Sequence, residues 1–221
     1  FKSFKEYVTE AIGKEATFTF GRFNPPTTGH LKLLEAVHKN SNGRDYYIFA
    51  SQSNDKKKNP LDYDTKIKYM RKMFPRFARN IIMTKDVRTA IDVCSFLYDK
   101  GYAEVKMVVG SDRVKEFDIL LNKYNGVKGR HGFYNFNGGV KVVSAGERDP
   151  DADDVSGMSA SKMRAAASAN DFQTFVSGLP SSFKQGKKLF NDLRTAMGLT
   201  ETHSFREHIQ LKTVSSIREA Y

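Results

Sequence analysis

The chain has 221 residues, 39% of them hydrophobic and 12% aromatic, which is enough for one α/β core with an appendage. It has no run of about 18 apolar residues, which excludes a membrane-crossing helix, and its single cysteine, Cys94, excludes an internal disulfide framework and a cysteine zinc site. Thirty-six Lys and Arg against 25 Asp and Glu give a net charge of +11, which points to phosphate-bearing partners, nucleotide and nucleic acid alike.

The chain starts at Phe1, so a processed product or part of a longer one is expected, and a reducing, cytoplasmic setting fits the lone cysteine. Residues 1–15 form the first unit: Phe4, Tyr7, Val8, Ala11 and Ile12 are spaced for a short amphipathic helix stopping near Gly13. Ala16 to Phe20 is β-branched and aromatic, a short buried strand. Gly21-Arg22-Phe23-Asn24-Pro25-Pro26-Thr27-Thr28-Gly29-His30 follows, then Leu31, Leu33, Leu34 and Val37 on one helical face. A strand, a tight loop and a helix start make an anion site, because the first helical N–H groups are unpaired and the dipole is positive there. Gly21 and Gly29 admit a close ligand, and His30 lies in the first helical turn. The plainer alternative is an ordinary loop with Thr27 as a cap.

This stretch resembles the first signature, H/T-x-G-H, of the nucleotidylyltransferase superfamily, through Thr27, Gly29 and His30. The Gly-Arg-Phe opening is most similar to nicotinamide mononucleotide adenylyltransferases, and the T-x-G-H form to pantetheine-phosphate adenylyltransferases. The resemblance implies a Rossmann-like, doubly wound parallel α/β sheet of about five strands over residues 16–180, with 181–221 a helical C-terminal extension.

Tyr46 to Ala50 is the second strand, and a polar loop from Ser51 to Leu61 leaves its carboxyl end, the edge where ligands bind in parallel sheets. Lys56, Lys57 and Lys58 lie in it, with no apolar anchor before Leu61, so the loop is expected to order over a polyanion. A solvated lysine run is the alternative. Asp62 to Phe74 is a helix with Tyr63, Ile67, Met70 and Phe74 in one stripe. Asn80 to Thr84 is strand three, Thr89 to Lys100 a helix that buries Cys94, and Glu104 to Val109 strand four. Gly110 and Asp112 then open a helix with Val114, Phe117 and Leu121. They resemble a family element lining the nucleotide or acceptor site, and Asp112 reads equally as the N-cap. Gly132 to Val143 is expected as a hairpin turning at Asn137-Gly138-Gly139 and adding strand five with its second arm. The acidic loop Glu147 to Asp154 has no calcium-loop spacing.

Met158-Ser159-Ala160-Ser161-Lys162-Met163-Arg164 enters an alanine-rich helix, with two hydroxyls at its start and cations one turn on, a phosphate cradle. It resembles the superfamily's second signature, I-S-x-T-x-x-R, in the right order after the first. Phe183, Leu189, Phe190, Leu193 and Met197 give one further helix ended by Gly198, and His203 and His208 are too isolated to be metal ligands.

The resemblance implies transfer of a nucleoside monophosphate, AMP favoured and CMP open, from a triphosphate to a phosphate-bearing acceptor, releasing pyrophosphate. Nicotinamide mononucleotide is the first acceptor to consider. His30, Thr27 and Arg164 are the expected catalytic residues. Gly21, Arg22, Phe23, Asn24, Gly29, Lys56, Lys57, Lys58, Gly110, Asp112, Ser159 and Ser161 are the expected nucleotide and phosphate ligands. Mg2+ arrives with the triphosphate, so no protein metal ligand is expected. The alternative is a non-catalytic module of the same fold that binds nucleic acid or a protein through its basic face. No membrane partner is expected, and a homo-oligomer is left open.

Overall fold

In the computed structural model, which describes residues 13–146 and 158–199, alternating strands and helices build a single parallel sheet. The strands are β1 (Lys14–Gly21), β2 (Asp45–Ala50), β3 (Ile81–Ile82), β4 (Tyr102–Val109) and β5 (Val140–Ser144). They lie in the order β3-β2-β1-β4-β5, every pairing parallel. The order reverses between β1 and β4, which places a crevice beyond their carboxyl ends. The fold is therefore the doubly wound α/β sheet of five strands that the motifs imply.

Seven α-helices are described: α1 (Thr28–Asn40), α2 (Tyr63–Met73), α3 (Ala90–Asp99), α4 (Val114–Lys123), α5 (Ala160–Ser168), α6 (Phe172–Ser177) and α7 (Gly186–Ala196). Polar caps start five of them: Thr27, Asp62, Thr89, Ser159 and Asp171 each accept a backbone N–H of the first turn. Such a cap contributes about 1 kcal/mol. Neighbouring residues of β2 point to opposite faces. Ile48 and Ala50 join a cluster with Leu34, α2, Met163, Phe175 and Leu189, whereas Phe49 joins Phe18, Val93, Leu97, Met107 and Leu121 on the other side. Cys94 is fully buried in this second cluster, and burial pushes its thiol pKa up.

The sequence expectations are adjusted at several places. The first unit, expected over residues 1–15 with its helix stopping near Gly13, overlaps β1, to which Lys14 and Glu15 belong and where Glu15 pairs with Arg44 and Lys106. Residues 1–12 lie outside the described part. No hairpin forms over Gly132–Val143. Val140 to Ser144 pairs in parallel with β4, and the first arm is irregular. The amides of Asn122 and Asn125 explain this: they take the backbone groups of Val140 and Phe136 that a hairpin ladder would use. Tyr134 and Phe136 are buried there, and the Tyr134 hydroxyl donates to the Leu121 carbonyl at 2.7 Å. Asp112 is not a cap, since neither the 3-10 turn Ser111–Arg113 nor α4 has a side-chain cap bond. The C-terminal helix α7 packs its Leu189, Phe190 and Leu193 into the first cluster, and its Asp192 accepts from the Tyr69 hydroxyl of α2. The acidic loop, His203 and His208 lie outside the described residues.

Candidate active site

The loop Gly21–Thr27 leaves β1 at the crevice and is tied down on three sides. The buried Asn24 amide donates to the Leu61 carbonyl at 2.9 Å, and its oxygen accepts the Leu61 N–H at 3.0 Å. This side chain imitates a strand neighbour, joining the loop to the Asn59-Pro60-Leu61 segment after β2. The Arg164 guanidinium donates to the Asn24 carbonyl at 2.7 Å, which joins the two signatures. The Thr28 N–H donates to the Gly178 carbonyl at 2.9 Å, anchoring the start of α1 on the end of α6.

Inside this frame His30 is the third residue of α1 and forms a reciprocal capping box with Thr27. The Thr27 N–H donates to His30 Nδ1 at 3.0 Å, and the His30 N–H reaches Thr27 Oγ1 at 3.4 Å. A backbone N–H can only donate, so Nδ1 is the acceptor and the neutral ring carries its proton on Nε2. The Phe23 ring packs 4.8 Å from the imidazole. Phe23 is fully buried at φ 47°, a left-handed conformation that a bulky residue adopts only when its surroundings impose it. Gly21 is needed beneath it, because a Cβ there would meet the Phe23 ring at 3.0 Å.

Two expected ligands, Phe23 and Asn24, and one expected catalytic residue, Thr27, belong to this frame. Phe23, Asn24 and Thr27 are buried, and their side chains hold His30 and the loop instead of facing solvent. Ser159 likewise caps α5, accepting the Lys162 N–H at 3.1 Å, while Ser161, two residues on in the same turn, is exposed.

Arg22 and Arg164 lie close enough for mutual repulsion. Desolvation first, and Arg22 second, lower the pKa of Arg164, with Asp55 the one opposing acid. Arg22 has no ion pair among the described residues. Asp55 closes the turn that carries the three lysines: its carboxylate accepts the Lys57 and Lys58 N–H groups and the Asn59 amide. Those bonds pull its pKa down to about 2. The side chains of Lys56, Lys57 and Lys58 are exposed. The corner therefore holds like charges without enough acids, an arrangement that an anion relieves.

Beside it a cleft of about 640 Å³ opens over the switch between β1 and β4, the size of a small-ligand site. Gly21, Arg22 and Gly110 line it; Asp112 does not, its carboxylate turning back over Gly110. Sequence reasoning missed Arg88 and Arg113 in its wall. Arg88 stands just before the Thr89-x-x-Asp92 capping box, a helix-start signal that marks it as a cation at the carboxyl edge. Ser51 also lines the cleft, its carbonyl held by the fully buried Lys66 ammonium at 2.5 Å. Burial lowers the Lys66 pKa to about 8, against a smaller opposite effect of Asp62. Among the described residues no three His, Cys, Asp or Glu side chains gather as a metal cage, and no helix is long and apolar enough to cross a membrane.

A family model described as cytidylyltransferase-like matches residues 18–166, from β1 into the helix of the second signature. Among solved structures the chain is similar to a protein from Vibrio parahaemolyticus assigned as a nicotinate-nucleotide adenylyltransferase. The two are 17% identical over 80% of this chain and 99% of that one, with a TM-score of 0.48. No curated protein matches.

Proposed function

The chain belongs to the cytidylyltransferase-like family and is a nucleotidyltransferase, and on that premise we propose that it transfers AMP, or CMP in its place, from the triphosphate to a phosphomonoester acceptor. An acceptor phosphate oxygen attacks the α-phosphorus, the bond to the α–β bridging oxygen breaks, and pyrophosphate leaves. The nucleophile is already an anion, so the reaction needs positioning and charge stabilisation and no protein base.

In this reading His30 Nε2–H donates to the α-phosphate oxygens as charge builds on them, and the Gly29 N–H adds a second donor. Thr27 acts through His30 as a positioning residue. Arg22 and the remaining N–H groups of Arg164 take the β- and γ-phosphates, with Ser161 at the start of α5. Lys56, Lys57 and Lys58 attract the polyanion from the rim. Gly110 allows the nucleotide or acceptor to approach the end of β4. Magnesium comes bound to the triphosphate and keeps most of its waters, a role for which the donor set here needs no cage.

The observation that carries the proposal is the capping box. It fixes the His30 tautomer with the donor on Nε2, at the end of a loop whose Asn24 carbonyl is held by Arg164. A pyrophosphate-release screen of ATP, CTP, GTP and UTP against phosphomonoester acceptors tests it. Release that needs both an acceptor and His30 is expected, and no release with any pair overturns it.

The exposed lysine turn favours a second reading, a module that binds nucleic acid on its basic face. That reading expects thermal stabilisation by duplex DNA and none by a triphosphate with magnesium.

A further inference from the structure

A second cleft of about 410 Å³ adjoins the first, and the two share Thr89 and Ile91 at the start of α3. Its outer wall is the segment between α4 and β5, carrying Tyr124, Lys128, Arg130 and His131. This wall is built to hold its shape. Gly129 and Gly132 exchange both backbone hydrogen bonds at 3.0 Å, closing a two-residue turn on Arg130 and His131. Gly132 takes φ 90°, and a Cβ on Gly129 would stand 2.8 Å from the His131 ring. That ring packs on Tyr124 and on the buried Tyr134, and its Nε2 lies 3.2 Å from the Val127 carbonyl.

The cations on this turn are uncompensated. Elsewhere Arg44, Lys106, Lys141, Arg113 and Lys188 each pair with an acid. Lys128 and Arg130 have no hydrogen bond or ion pair among the described residues. The one acid of the cleft, Asp92, already accepts the N–H groups of Arg88 and Thr89. Arg130 on a rigid turn and Lys128 just before it, two unpaired cations in a cleft that adjoins the one at the sheet switch, select by charge what extends from there.

Resting on the acceptor chemistry proposed above, we propose that this cleft seats the far end of the acceptor and that this end is anionic. The substrate class is then a phosphomonoester with a carboxylate or second phosphate at its other end. Acceptors with a cationic tail are disfavoured.

The test is equilibrium binding by titration calorimetry, which needs no turnover, on the full chain. The probes are nicotinate mononucleotide, nicotinamide mononucleotide and phosphocholine, with tails ending in a carboxylate, an amide and a quaternary ammonium. The carboxylate should bind about tenfold tighter than the amide, the scale of one charge-assisted hydrogen bond, and phosphocholine weakest. The Lys128→Gln/Arg130→Gln double variant should bring the carboxylate-to-amide ratio close to one. Lys39→Gln/Arg79→Gln, removing the same charge near the amino ends of β2 and β3, should leave that ratio as in the wild type. A wild-type ratio near one, a ratio unmoved by the Lys128/Arg130 change, or no binding of nicotinate mononucleotide overturns the inference. Absence of pyrophosphate release with every triphosphate would instead overturn the proposed reaction, whatever the binding ratio.

Discussion

Two loops leave the sheet on the same edge, one after β1 and one after β2, and they are built in opposite ways. The first is buried and tied to α2's approach, to α5 and to α6 through Asn24, Arg164 and Thr28. The second, beyond Ser53, is closed by its own Asp55 and shows three lysines to solvent. A donor that must meet a transition state gains from having its geometry fixed in advance. A charge that draws a polyanion inward acts at a distance and needs no fixed geometry. Losses in the first loop should therefore appear in the chemical step, and losses in the second in encounter and binding.

The largest effect is expected at His30. His30→Ala should lower kcat by about 10²–10³, the scale for one transition-state donor, with little change in triphosphate affinity. Unchanged turnover would remove His30 from the mechanism.

Lys66 underlies the second loop through the Ser51 carbonyl. Its pKa is about 8 in the native protein against an ordinary 10.5. Below pH 8 both states hold the proton and the cost of burying it is in force. Between about 8 and 10.5 the unfolded chain binds more protons, so stability rises with pH, by on the order of 3 kcal/mol in all. Urea melts should show that rise in the wild type and not in Lys66→Met; equal slopes would contradict this account of the buried ammonium.

Arg164→Ala should weaken triphosphate binding about 10–100-fold, the range for a charged hydrogen-bond donor. Arg164→Lys should recover only part, because the planar fork is lost. A variant that binds as the wild type does would leave Arg164 as a tether of the Asn24 carbonyl alone. Asn24→Ala leaves the Leu61 groups unpaired and should cost about 2 kcal/mol of stability together with kcat. Loss of stability with kcat intact would show that the loop keeps its shape without this link.

The smallest effect belongs to the lysine turn. Changing Lys56, Lys57 and Lys58 to Gln should raise KM about 2–5-fold and flatten the salt dependence of kcat/KM, since exposed charges are individually weak and screened. A lowered kcat at saturation would break the contrast between the loops.

Much of this was legible in the sequence, for physical reasons that differ by element. β1, β2 and β4 are dense in β-branched and aromatic residues, and the helices start at Thr, Asp and Ser caps, so local chemistry suffices to place them. The hairpin expected over Gly132–Val143 failed because its turn signal is local, while the Asn122 and Asn125 amides that compete for its backbone come from α4 and the turn that follows it. At the site, His30 and Arg164 follow from motif spacing. The task of Asn24 does not, because its partner Leu61 is 37 positions away. Thr27 is expected among the catalytic residues, and its place as the partner of His30 is not legible, since a motif shows which residues gather and not which way a hydroxyl turns.

The most direct test of the contrast is a rapid-quench measurement of the single-turnover rate at saturating triphosphate and acceptor, in the His30→Ala protein and in the triple lysine variant side by side. The account predicts a chemical step slowed about 10²–10³-fold in the first and close to wild type in the second. Equal slowing in both, or slowing confined to the lysine variant, would contradict it.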